Sequence, residues 1–446
     1  MARCRLLCWS LVGVVAALLG GVAGPFPHWR LLVCLLTSAQ QAQKLWFLFA
    51  SATGVPFLCE DDWPWLLWAQ SRYELAVARL PQVPVQPVPV LDVPASLQSA
   101  PWAERERYVC SRLAERGGWG MEPFVVRGLF GPSASELLED DDAWSLAWLR
   151  RHVPDRELSA FNMTVFGELF DEIRPCHHMR KHTRTRVRVD EVTTAMEEAN
   201  SPLYVNFAEE FFGEVTFQNH RRRTPRSAWS PTTQMMRRTS GADRIWDLCS
   251  GEGSPTRPFG GYSGEAFFGV GAKQTVPVGT PVHSAYMRNL FLQLRGRRLW
   301  RLWSPAYTSL FRAQGNLGYM TGFGVHRHWS AQSDDDGFSL NATYAEHLRS
   351  VPSMSADLGP GDMLYVPPWW LHDTRVHGGY SLGFSARGQD WPGAKLWEMP
   401  ALRFLGPQGS LEALALDILQ VIPIYIVDKE FRGRRPGWVE KRQHGF

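Results

Sequence analysis

EAFFGVG (265–271), TPVHSAYM (280–287), NLFLQLRG (289–296), RRLWRLWSP (297–305), SADLGPGDMLYVP (355–367) and GYSLGFSA (379–386) are the stretches that decide the fold. Each is short and punctuated by Gly or Pro. Strands of this kind at regular spacing predict a mainly β domain, a sandwich or barrel, with helices as decoration. Upstream, PFVVRGLF (123–130) reads as a buried strand ended by Gly128. The six prolines between 81 and 101 predict an extended linker running into an edge strand, VPVLDVPA. Helices are expected near 102–116 and across 134–175. The Thr/Arg/Val alternation of RKHTRTRVR (180–188) suits an edge strand with a basic outer face.

The 446 residues are 45% hydrophobic and 20% charged, with 20 Trp, which excludes a disordered chain, a polytopic membrane protein and a coiled coil. A formal net charge of +3 argues against a dedicated nucleic-acid binder. HRRRTPR (220–226) lacks the aromatic interleaving that nucleic-acid binding uses; like RKHTRTRVR, it reads either as a dock for an acidic substrate or lipid headgroups or as a solvated loop face. No internal repeat, G-x-S-x-G elbow or P-loop is present.

Two segments carry chemistry. The first runs Thr280-Pro-Val-His283-Ser-Ala-Tyr-Met-Arg-Asn289-Leu-Phe-Leu-Gln293-Leu-Arg-Gly296-Arg-Arg298, and the second Pro360-Gly361-Asp362-Met-Leu-Tyr-Val-Pro367-Pro-Trp-Trp370-Leu-His372. Together they resemble the JmjC/cupin-like family of Fe(II)/2-oxoglutarate oxygenases, in the branch related to protein hydroxylases. That pattern is H-x-D/E, N-x-F-x-Q-x-x-G, then P-G-D-x-L-x-x-P-x-x-W-x-H. PFVVRGLF resembles the family's first strand and SPLYVNFAEEFF (201–212) its mid-domain strand. The resemblance covers roughly 85–390 and implies a double-stranded β-helix, a jelly-roll, whose open end holds iron on two imidazoles and a carboxylate. It implies His283 and His372 as metal ligands. Thr280 and Arg298 would bind the distal carboxylate of 2-oxoglutarate, with Arg387 able to serve the same role; Asn289 and Lys273 would be structural or line the pocket. Gly361 is expected to make the tight turn before the strand bearing His372, and Trp370 to pack beside it. The family more often carries Lys at the position of Arg298, and a guanidinium binds with different geometry.

The acidic ligand position is Ala285, and a methyl group cannot bind iron. Three readings follow. The domain is degenerate and kept for binding or structure; or it is an active hydroxylase of a protein or peptide whose carboxylate comes from Asp373 or Asp334–Asp336; or the vacancy takes halide, as in halogenases with H-x-A. His326 and His328 beside Asp334–Asp336 read either as an accessory metal site or as a polar loop. Cys176-His177-His178 lacks a second ligand pair at zinc spacing.

Arg3 and Arg5 precede an apolar stretch, Leu6–Ala23, and small residues to Gly24. This predicts a signal peptide or an uncleaved type II signal-anchor over 1–24, a membrane attachment and a secretory-pathway body. Residues 25–80 form a membrane-proximal helical region, 81–101 the linker, 102–390 the JmjC/cupin-like domain and 391–446 a C-terminal helical extension. The helix expected at 411–422 reads equally as a homodimer contact or as a cover on the barrel. Sequons at Asn162 and Asn341 agree with lumenal exposure. Five cysteines beyond the N-terminal segment (Cys34, Cys59, Cys110, Cys176 and Cys249) are too scattered for a disulfide framework, leaving one or two bridges open.

Overall fold

The computed structural model describes residues 74–120, 122–131, 142–162, 184–198, 203–208, 235, most of 241–251, 261–271, 278–280, 282, 288–304, 307, 314–316, 322–324, 346–367 and 370–388. The expected signal segment, the helix expected at 411–422 and HRRRTPR lie outside these residues. Among the described residues no helix is long and apolar enough to cross a membrane.

In chain order the strands are β1 (Gln86–Pro87), β2 (Val90–Asp92), β3 (Phe124–Arg127), β4 (Glu157–Asn162), β5 (Arg184–Arg188), β6 (Leu203–Ala208), β7 (Gly261–Val270), β8 (Arg288–Trp303), β9 (Gln314–Asn316), β10 (Gly322–Gly324), β11 (Ser353–Leu358), β12 (Met363–Val366) and β13 (Leu371–Gly388). Eleven form one sheet, ordered β2-β3-β12-β8-β13-β7-β6-β4-β5, with β11 also on β8 and β1 on β11; β9 and β10 pair separately. The sheet folds over because β8 changes partner along its length. Its first half pairs antiparallel with β12, Asn289 to Val366 through Leu292 to Met363. Its second half pairs with β11, Arg298 to Leu358 through Trp303 to Ser353. β13 follows β8 along its other edge, with register shifts between His377 and Gly383. The result is the mainly β fold that the strand pattern predicts and the jelly-roll that the family resemblance implies.

Gly296 marks the bend in β8. Its φ of +63° is favourable for glycine alone, and an added Cβ would fall 2.0 Å from the Tyr380 carbonyl oxygen. NLFLQLRG and RRLWRLWSP are therefore one strand with a bulge, where the sequence suggested two. Gln293 braces the bend, its side-chain amide donating to the Arg295 carbonyl and to the Ser381 hydroxyl.

Alternation along the strands separates two cores. Leu290, Leu292, Leu294, Met363, Tyr365, Leu382 and Phe384 face helices α1 (Trp102–Glu115), α2 (Leu146–His152) and α3 (Val189–Glu197), which contribute Val109, Leu113, Leu149 and Val192. Ser145 caps α2, its hydroxyl accepting from the Trp148 amide at 3.0 Å. Arg150 grips Glu197 with two 2.6 Å bonds and ties α2 to α3. The opposite faces of the same strands supply Phe291, Trp300, Leu302, Leu364, Val366 and Val376 to the second core, joined by Tyr204, Phe267 and Trp370. That second core is the interior of the jelly-roll.

Two expectations change, the first in part, and one holds. Within 81–101, β2 is the edge strand expected in VPVLDVPA, parallel to β3, and β1 just before it also joins the sheet, parallel to β11, where only linker was expected. The helix expected over 134–175 is confined, among the described residues, to α2, and β4 follows, pairing with β5 and β6. Leu158 and Ala160 are buried in β4, a period-2 signal hidden beside a strongly helical stretch. RTRVR is the edge strand that its alternation suggested, with Arg186 and Arg188 exposed.

Candidate functional site

Interior positions of β8 and β13 gather the polar groups. Arg298 is 1% exposed. Its guanidinium donates to the Tyr204 hydroxyl (3.1 Å) and to the Phe267 carbonyl (3.1 Å), and lies 5.1 Å from the centre of the Phe291 ring. Nε has no hydrogen-bond partner, and Arg298 makes no salt bridge among the described residues. A buried cation held by neutral acceptors alone is strongly disfavoured unless an anion completes its surroundings.

Thr280 stands on the same cluster, its hydroxyl 3.0 Å from the Tyr204 hydroxyl. The stretch holding it runs beside β13: the Thr280 amide donates to the Thr374 hydroxyl, while the Thr374 and Val376 amides donate to the carbonyls of Thr280 and Val278. Thr280 and Arg298, eighteen positions apart in sequence, are thus joined through Tyr204. That tyrosine was not singled out from the sequence. Its only signal was its place in a buried strand.

His372 opens β13 and is 2% exposed. Its Nδ1 lies 2.9 Å from the Trp370 carbonyl. A carbonyl only accepts, so Nδ1 donates in this contact, which in a neutral ring leaves Nε2 as the nitrogen for metal ligation. The imidazole stacks on Trp300, ring centres 5.3 Å apart and 27° between planes. Trp370 is buried in the interior core, as expected. Gly361, with φ +87°, makes its turn before β12 rather than before β13. The Gly361 amide donates to the Gln293 carbonyl, so this turn locks β12 onto β8 instead of presenting His372 directly.

Asn289 and Arg387 are backbone partners at the far end of the β8–β13 pair from His372. The Asn289 side chain accepts from the Ser385 hydroxyl. Along β8 Asn289 lies nine positions before Arg298. Arg387 therefore stands at another station of the interior from Arg298.

Asp373 does not join His372. Adjacent residues of a strand face opposite sides of the sheet, and Asp373 lies buried on the outer side, its carboxyl pushed up to about 6 by burial against the pull of Arg375 and Arg301. The reading in which Asp373 supplies the missing carboxylate is thereby corrected. His283, Ala285, Lys273, His326, His328, Asp334–Asp336 and Cys176-His177-His178 lie outside the described residues. Among the described residues no three His, Cys, Asp or Glu side chains gather into a metal site.

A buried arginine, two hydroxyls and a buried histidine thus lie inside the jelly-roll. The family model for the cupin-like domain matches residues 154–385, just over half of the chain. The chain belongs to that cupin-like family. The matched region of the cupin-like domain runs from just before β4 to near the end of β13 and so contains Tyr204, Thr280, Arg298 and His372. One pairing escaped the sequence: Cys110 of α1 is disulfide-bonded to Cys249, 139 positions away.

Proposed function

We propose that this cupin-like domain binds 2-oxoglutarate through Arg298 and Thr280, next to an iron site held by His283 and His372, in a protein of the secretory pathway related to Fe(II)/2-oxoglutarate-dependent protein hydroxylases. The observation that carries the reading is the buried Arg298 guanidinium, whose hydrogen bonds among the described residues go to the Tyr204 hydroxyl and the Phe267 carbonyl, both neutral. A carboxylate is the anion that an arginine fork with two adjacent hydroxyls fits best. The Nε2 lone pair of His372 suits Fe(II), and the donor set of two imidazoles accepts that ion. Iron and the oxo acid would supply the oxidising chemistry of a hydroxylation on a protein or peptide side chain. The chain's own contribution is to anchor the acid at Arg298 and to fix the imidazole of His372 through Trp370. The buried Cys110–Cys249 bridge supports an oxidising compartment, where such bonds form and persist.

A second reading is favoured by Ala285: the pocket binds its acid without turnover, because one protein ligand of the iron is missing. Anaerobic addition of Fe(II) and 2-oxoglutarate to the full chain separates the two. The proposal expects a visible charge-transfer band that disappears in His372→Ala. A band seen only in Ala285→Asp would assign the chain to the second reading. No band in either protein, with no binding of 2-oxoglutarate, would sink both.

A further inference from the structure

Trp300 is the interior residue that space-filling explains least. The indole is 2% exposed and its N–H has no acceptor. Buried tryptophans normally find a partner for that proton, and an apolar ring of similar size would fill the space without the cost. Its placement is constrained on two sides. One face stacks on His372, and Phe291 stands edge-on, ring centres 4.8 Å apart at 64°. Phe291 in turn presses onto bare backbone, since a Cβ on Gly383 would fall 2.0 Å from its ring. The indole is therefore held by its neighbours, and its N–H is set in place rather than free to seek a partner.

Trp300 also lies two residues beyond Arg298 on the same face of β8, about 7 Å along the strand. Phe291 touches both, with the Arg298 guanidinium 5.1 Å from its ring centre. Phe291 and Trp300 thus form one wall running from the arginine to His372. An acid anchored at Arg298 and reaching toward His372 passes this wall. Beside this wall, Nε of Arg298 and Nε1 of Trp300 are both buried donors without acceptors.

We infer that Trp300 is a ligand-selecting donor of this pocket: its indole N–H binds a second acceptor group on the acid that Arg298 anchors, so that the site takes a dicarboxylic acid in preference to a monocarboxylic one. The inference rests on the proposal that Arg298 holds a carboxylate, and the test keeps the two apart.

The full chain, freed of metal with a chelator, is titrated calorimetrically with 2-oxoglutarate, glutarate and valerate. The wild type should bind both diacids more tightly than valerate. Trp300→Phe keeps an aromatic body and loses the donor. It should weaken both diacids about tenfold and leave valerate unchanged. Trp300→Leu should give the same loss of preference, which keeps the test open if the phenylalanine variant does not fold. Diacid binding equal to wild type in either variant overturns the inference, as does an equal loss for all three acids, which would mark Trp300 as filler. Failure of the wild type to bind any acid sinks the anchoring role of Arg298 itself. Binding that is lost in Arg298→Met but indifferent to Trp300 leaves that role standing and removes only the inference.

Discussion

Replacing Arg298 by Met should leave the empty protein about as stable as before while abolishing its response to 2-oxoglutarate. Arg298 makes two hydrogen bonds, both to neutral oxygens, and leaves Nε unmet. Removing it costs the Tyr204 hydroxyl and the Phe267 carbonyl one hydrogen bond each, about 0.5–1.5 kcal/mol apiece. It also forfeits the contact with the Phe291 ring, worth about 0.5–2 kcal/mol. Against these stands relief from burying a cation with no counter-charge, a penalty of several kcal/mol per ion. Methionine fills much of the space with a flexible apolar chain. The sum lies within about 2 kcal/mol of zero. With ligand at a hundred times its Kd, the wild type gains about 2.7 kcal/mol and the variant nothing. Urea denaturation of both proteins, with and without 2-oxoglutarate and in the presence of chelator, reads the two effects separately. A loss above about 3 kcal/mol in the absence of ligand is what breaking a compensated ion pair produces. That result would make Arg298 a structural clamp and refute its role as an anchor.

Asp373 gives a pH-dependent outcome. Its carboxyl is raised by burial from 3.8 to about 6, so the native state holds the proton more tightly than the unfolded chain. The stability this contributes is complete below pH 3.8 and is lost as pH rises through 6. The swing is about 3 kcal/mol, two pKa units at about 1.4 kcal/mol each. Asp373→Asn should therefore stabilise the protein by up to about 3 kcal/mol at pH 8 and by nothing near pH 3.5; a larger effect at the acid end would contradict the assignment. Removing the Cys110–Cys249 bridge with a paired Ala substitution opens a loop of 139 positions. The chain-entropy estimate for such a loop is about 5 kcal/mol, visible as a large fall in melting temperature, and an unchanged melting temperature would mean that the bridge does not form.

Much of the interior was legible because its residues sit in short motifs. Thr280, Arg298 and His372 came from the family resemblance that two short segments carry, and the strands around them from alternation and from Gly and Pro. Legibility failed where a residue's role depends on a distant strand. Tyr204 bonds to both Thr280 and Arg298, yet nothing near it in sequence marks it apart from other strand tyrosines. Cys110 finds Cys249 only after α1 has packed on the sheet. β4 was misread because Leu158 and Ala160 follow a helix with its own apolar period, and a six-residue strand offers too few alternations to compete. Gly296 divides NLFLQLRG from RRLWRLWSP in the sequence because glycine serves a turn and a bulge alike, and only the continued pairing with β13 shows that β8 runs on past it.

That continuity has a mechanical consequence. β8 spans 16 residues and β13 spans 18, and the two stay paired from one end of the jelly-roll to the other. A sandwich whose sheets share no strand can part along the seam between them. Here any separation of the layers would have to break the β8–β13 ladder itself, so this part of the domain has no cleavage plane along which to gape. Amides on either side of Gly296 should then exchange with solvent as one cooperative unit, and a molecule bound against Arg298 would brace both layers at once.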